Sequence, residues 1–203
     1  MTKRIPLGWL AIALLVWVWS AISPRDTYLT WVLETIPVMI VLPILVFTHR
    51  RFPLTNLVYG LIAVHAMVLM LGGHYSYAKV PLGFWMEDWF GWTRNNYDKI
   101  GHLFQGFVPA LCVRELLLRT SPLKPGKWVV FLSISVPLAF SAVYEILEWV
   151  ASLSNPSDTE AFLGTQGYIW DTQTDMFSCL VGSILAMLLL TKLHDRQLRK
   201  LRP

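Results

Sequence analysis

Residues 97–106 read YDKIGHLFQG, an acid, a lysine and a histidine at the mouth of an apolar run that continues to Leu118. Asp98 and His102 are four apart and Gln105 follows three later, so on a helix the three line one stripe about two turns long. Ionisable groups in a membrane-length segment are costly, and they turn toward protein or water. The stripe is therefore a candidate site, and residues 98–118 read as a membrane crossing whose polar face other helices must answer.

Composition outside this stretch points the same way. Of the 203 residues 55% are hydrophobic and only 15% charged, with a mean hydropathy of +0.49, where a soluble domain carries about 25% charged residues. The formal charge of +4 does not indicate a nucleic-acid partner, because most Lys and Arg fall in short breaks between apolar runs and read as orientation signals. The expected fold is all-α, one integral membrane domain over 1–203 with six spans at 5–22, 28–48, 54–71, 98–118, 127–150 and 171–191 and a cytoplasmic basic tail at 192–203. Each run is long enough for about 30 Å of hydrocarbon, and the first exceeds a signal-peptide core, so it reads as retained. Cys112 and Cys179 fall at different depths and are not expected to pair.

Residues 72–96 connect the third and fourth spans and are dense in aromatics, including Tyr75, Tyr77, Phe84, Trp85, Trp89, Phe90 and Trp92. Such residues favour the headgroup zone, and Pro81–Trp92 reads as a short interfacial helix over the site. His65, midway along the third span, reads as a histidine hydrogen-bonded between helices.

Orientation follows from charge. With the N-terminus in the cytoplasm, Lys3, Arg4, Arg50, Arg51, Arg114, Arg119, Lys124, Lys127 and the basic residues from Lys192 onward are inside, leaving Arg25, Lys79, Arg94 and Lys99 outside. Both termini are then cytoplasmic.

In that frame the fourth, fifth and sixth spans deliver their acids to the outer end. Counted along the helix rise, Asp98, Glu148 and Asp171 lie near the outer boundary, and His102, Glu145 and Asp175 lie roughly 5 to 6 Å deeper. Glu34 also lies toward that side. So many carboxylates cannot all stay ionised at low dielectric without compensation, which salt bridges to Arg94 and Lys99, protonation or a bound divalent cation would supply. Mixed carboxylate and imidazole donors on helix faces build bundle metal sites. The metal candidates are Asp98, His102, Glu145, Glu148, Asp171 and Asp175, with a divalent ion as the cofactor they would take.

Two resemblances attach to these residues. From Trp31 to Leu190 the chain closely resembles the YjdF-like family of bacterial inner-membrane proteins, a family of unknown function, through GGHYSYAKVP from Gly72, RNNYDKIGHLFQGF from Arg94, REL at Arg114, SAVYEILEW from Ser141 and FLGTQGYIWDTQTDM from Phe162. This implies location and topology, not chemistry. The order Asp98-Lys99-x-x-His102, then Glu145 and Glu148, then Asp175 and Gly182 is similar to the VanZ-like group of small membrane proteins, which includes proteins linked to glycopeptide-antibiotic tolerance. That group often has Gln where Glu148 stands and Asn where Cys179 stands. The resemblance implies an envelope-facing site.

Three function classes follow. One is a metal-assisted hydrolase or transferase at the outer leaflet on a lipid-linked or cell-envelope substrate. In it His102 or Glu145 is the base, and Arg94, His74, Gln105 and Gln173 are substrate contacts. Another is a small-solute or ion transporter, although transport sites usually lie near the midplane on repeated, broken helices. The last is a non-catalytic envelope protein binding a lipid or a protein partner. The bilayer is a partner in all three, and the first is the reading taken forward.

Overall fold

Polar caps and prolines set the helix boundaries. Thr27 and Thr55 precede apolar runs, and their hydroxyls accept hydrogen bonds from the Thr30 and Val58 amides at 3.1 and 3.4 Å, closing two helix N-termini. Pro81 opens another helix, and Gly91 closes it in the left-handed conformation, φ +65°, where glycine carries no Cβ penalty. The computed structural model describes residues 6–154 and 166–201. Its elements are α1 (Leu7–Ala21), α2 (Tyr28–Thr48), α3 (Asn56–Tyr75), a 3₁₀ turn (Tyr77–Lys79), α4 (Pro81–Phe90), α5 (Tyr97–Thr120), α6 (Lys127–Ser154) and α7 (Asp171–Leu201). The described residues contain no strand and are all-α.

Four helices, α2, α3, α6 and α7, are long and apolar enough to cross a membrane. The six-span expectation is thus met in part. α1 is apolar but only 15 residues long in the described chain, and α5, at 24 residues, carries Asp98, Lys99, Arg114, Glu115 and Arg119, which dilute its apolar character. The basic segment after Thr191 is helical: α7 runs without a break to Leu201. His194 and Leu198 continue its buried stripe at i, i+4 spacing, and packing on that stripe holds the charged segment helical.

α5 packs against α3, α6 and α7, while α1 and α2 pack on α3. The α5–α7 contact is the tightest. A Cβ at Gly106 would overlap the Cys179 carbonyl, and one at Gly182 would overlap the Leu103 carbonyl, so paired glycines let the backbones touch. Val58, Ala110, Leu111, Ala186 and Met187 form the core between α3, α5 and α7. Outward-facing side chains are apolar, including Ile36, Ile40, Ile44 and Phe47 on α2, Phe140, Val143 and Leu147 on α6, and Phe177 and Leu188 on α7. These are the surfaces a lipid environment would cover.

Tyr77 is driven into the helix layer and does not lie over it. Cβ atoms at Gly72 and Gly101 would stand 2.6 and 2.9 Å from its ring, so these glycines form the slot it occupies. Burial pushes its phenol well above the ordinary range, and nearby Glu34 adds to the shift. The hydroxyl stays protonated. α4 does form over Pro81–Phe90, with Phe84, Trp85, Trp89 and Phe90 exposed.

Candidate functional site

The first turns of α5 and α7 meet beside the last turns of α6, and this brings most of the sequence-derived candidates together. Asn95 sets the entry to α5: its carboxamide oxygen accepts from the Tyr97 amide at 3.1 Å, and its nitrogen donates to the Val80 carbonyl at 3.0 Å. Gln166 bonds both the Asn95 amide and carbonyl, at 3.2 and 2.8 Å, tying the approach to α7 to the approach to α5.

Two cations divide the acids. Arg94 Nη2 lies 2.7 Å from Asp98 Oδ2 and 2.8 Å from Asp171 Oδ1, with its guanidinium 5.1 Å from the centre of the Tyr168 ring. Lys99 Nζ is 2.7 Å from Asp171 Oδ1, 2.8 Å from Asp175 Oδ1 and 3.2 Å from Asp98 Oδ2. Its ammonium sits among three aspartates as a tethered cation, so the salt bridges expected of Arg94 and Lys99 are present. Asp171 and Asp175 are buried, and water screens such pairs less than at a free surface.

Below this clamp lies a second arrangement. His102 Nε2 stands 3.6 Å from Glu145 Oε1 and 3.8 Å from Asp175 Oδ1. Neither separation is a hydrogen bond. Glu145 is 7% exposed, and its Oε1 has no hydrogen-bond partner among the described residues. The Glu145 side chain also interacts with Thr172 on the first turn of α7, while His102 Nδ1 and Gln105 Oε1 are each buried without a hydrogen-bond partner among the described residues. The six metal candidates thus separate into Asp98, Asp171 and Asp175 around Lys99, and His102, Glu145 and Asp175 around a centre of their own. Glu148 belongs to neither group. It stands close enough to Tyr77 and Tyr144 to act on both electrostatically.

Other candidates lie elsewhere. His74 is buried against α1, with Nδ1 3.2 Å from the Ser20 carbonyl and its ring between Trp19 and Tyr75. These contacts hold α3 to α1. Gln173 is exposed on the far side of α7, at a groove of about 600 Å³ lined mainly by Leu138, Ala139, Ala142, Met176 and Phe177. His65 departs from its expectation, since Nε2 has no hydrogen-bond partner among the described residues and the ring packs on Phe104. Gly164 and Gly167 read in sequence as turn residues before α7; Gly167 has φ +78°, and Gly164 lies outside the described residues. Cys112 and Cys179 are free thiols.

Sequence reasoning missed a second polar centre, at the opposite end of α5. Glu115 is fully buried and accepts from the Thr55 hydroxyl at 2.8 Å, the Thr55 amide at 3.0 Å and Arg119 Nη1 at 2.6 Å. His194 Nε2 is 3.0 Å from Glu115 Oε2, and its Nδ1 is 3.0 Å from Arg114 Nη1. Arginine can only donate, so Nδ1 accepts and Nε2 donates to Glu115. Arg114 Nη2 completes the network on Asp195 at 2.6 Å. The one signal in sequence was Arg114-Glu115 adjacent inside an apolar run.

Residues 5–196 match the family described as "Predicted membrane protein (DUF2238)". The chain is also 50% identical over 186 residues to "Inner membrane protein YjdF" of Escherichia coli (strain K12), an alignment covering 92% of this chain and 88% of that protein. No solved structure matches it.

Proposed function

The chain belongs to the DUF2238 family of predicted membrane proteins, and from that premise we propose that it is an integral protein of the bacterial inner membrane carrying a hydrolase or transferase site on its outward face, for a lipid-linked or cell-envelope substrate. The observation that carries this reading is the pairing of His102 with Glu145, a buried carboxylate with one oxygen unpartnered, 3.6 Å from an imidazole nitrogen. That gap is too long for a hydrogen bond and suits an intervening water or acceptor hydroxyl. In the reaction the pair takes the proton from that oxygen as it bonds to the electrophilic phosphorus or carbonyl carbon. The proton then passes to the departing oxygen. Substrate would reach the site from the bilayer, with the exposed aromatics of α4 at the headgroup level.

For Asp98 and Asp171 a second reading is favoured. Both are held by Arg94 and Lys99 at 3.2 Å or less, which supports a role in locking α5 to α7. Arg94, so engaged, is a poor anchor for a substrate anion.

The test is turnover by purified protein in liposomes, offered polyprenyl- and diacylglycerol-linked phosphates and followed by phosphate release. Wild type is expected to turn over at least one class, and His102→Ala and Glu145→Gln to lose roughly 100-fold or more. Absence of turnover in wild type, or equal rates in His102→Ala, would remove the enzymatic reading. Orientation is tested separately, with reporters at each terminus. Both are expected to be cytoplasmic, and a C-terminal reporter active outside would contradict six crossings.

A further inference from the structure

We infer that His102, Glu145 and Asp175 form a mononuclear site for a divalent first-row transition ion, with Lys99 beside it as a covalently tethered cation on Asp175. The assignment rests on the proposed function only for the direction the site faces and revises one part of it: with an ion bound, His102 Nε2 and Glu145 Oε1 are ligands, the ion activates the water, and its proton goes to the second Glu145 oxygen.

Four observations converge. The first is spacing. A tetrahedral ion with bonds of about 2.0–2.1 Å holds its ligand atoms about 3.4 Å apart. His102 Nε2 stands 3.6 Å from Glu145 Oε1 and 3.8 Å from Asp175 Oδ1, and all three atoms lie within 4.8 Å of one another. Direct hydrogen bonds would have drawn them closer.

The second is the Glu145 oxygen itself. It is buried, unpartnered among the described residues and directed at the imidazole, and a native structure rarely leaves such an atom without a ligand, water or ion. The third is charge. Asp98, Asp171, Asp175 and Glu145, with Glu148 close enough to act on all four, face two cations, Arg94 and Lys99, so carboxyls outnumber cations and a divalent ion would offset the excess negative charge when they ionise.

The fourth is the arrangement behind the ligands. His102 presents Nε2 to the centre, while its Nδ1 and the side-chain oxygen of Gln105, three residues on, are both buried and make no hydrogen bond among the described residues. A ligating histidine usually donates its second N–H to such an oxygen, which fixes the tautomer. One imidazole with two carboxylates suits zinc, manganese or iron better than calcium or magnesium, which take oxygen ligands, or copper(I), which takes sulfur. Three protein ligands leave a position open.

The competing triad, Asp98, Asp171 and Asp175, makes the assignment testable, because Lys99 Nζ contacts all three of its acids but only Asp175 Oδ1 of the proposed site. Detergent-purified protein is equilibrated with zinc or manganese, desalted and analysed for metal by mass spectrometry. Wild type and Asp98→Asn are expected to hold near one equivalent, and His102→Ala and Glu145→Gln to hold less than a tenth of that. Loss in Asp98→Asn with retention in Glu145→Gln would put the ion in the other triad and overturn the assignment, as would metal-free wild type.

Should the ligand variants not fold, zinc-edge X-ray absorption of wild type decides: imidazole scattering supports the site, and an all-oxygen shell overturns it. Turnover that persists in metal-free protein would overturn this assignment while leaving the hydrolytic reading standing. Metal bound as expected without turnover would support the site and count against the reaction.

Discussion

Gly182→Val in purified protein is expected to lower folding free energy by about 3 kcal/mol or more, with little folded protein recovered in detergent. The reason is geometric. A Cβ at position 182 would overlap the Leu103 carbonyl oxygen and lie 2.9 Å from its carbon and 3.0 Å from the Phe107 nitrogen, all backbone atoms of α5 that no side-chain rotation can move aside. Gly106 makes the reciprocal contact with the Cys179 carbonyl and the Ser183 nitrogen, so Gly106→Val should behave alike. α5 and α7 would have to part, and they are the helices that bring His102 to Asp175. Any Gly182→Val protein that does fold should therefore also fail to retain metal. A Cβ added at Gly8 would meet nothing within 4 Å, and Gly8→Val is the matched control, expected within about 0.5 kcal/mol of wild type. Thermal melting followed by size-exclusion chromatography measures all three. A Gly182→Val midpoint equal to that of Gly8→Val would show that the two helices are free to separate.

What could be read from the sequence was what helical periodicity and depth carry. Asp98, His102, Glu145, Asp171 and Asp175 were placed at one end because each lies a countable number of turns from a span boundary, and Arg94 and Lys99 were foreseen as their counter-ions. The division of those acids was not legible. It depends on Lys99 reaching across to Asp171 and Asp175, a tertiary distance with no periodic trace. Asn95, Gln166 and Tyr168 were passed over because they sit in connections, where sequence shows turn chemistry but not which loop meets which. His74 lies in a stretch shared with the YjdF-like family, and its partners Trp19 and Ser20 come from α1, a pairing across helices that periodicity does not show. The end of α7 was hidden differently. Lys192, Arg196, Arg199 and Lys200 give 192–202 the composition of a tail, and that charge masks the stripe of His194 and Leu198, both buried.

That hidden stripe carries the other large effect. Glu115→Ala is expected to cost about 3–5 kcal/mol, the range for removing one member of a buried ion network. Glu115 and His194 are both 0% exposed and Arg114 is 2% exposed, so the donors aimed at the carboxylate have little water to turn to. The Thr55 amide and hydroxyl, Arg119 Nη1 and His194 Nε2 all lose their acceptor together. Glu115→Gln keeps one carbonyl acceptor but presents an amide to Arg119, and should fall between alanine and wild type. Asp195 is a third exposed at its side chain, and its replacement by alanine should cost about 1 kcal/mol or less, since a pair open to water gains little. Because Glu115 joins the start of α3 to α5 and the end of α7, its loss should free the last turns of α7 first. Hydrogen exchange would register this as lost protection around residues 190–200, with the amides near Asp171 and Asp175 still protected. Metal content per folded molecule should then match wild type. A Glu115→Ala protein with unchanged melting and exchange would mean that the network is incidental to the fold. If exchange instead rises equally at both ends of α7, the two polar centres are coupled through the Ala110, Leu111, Ala186 and Met187 core, and the metal site would share in the loss.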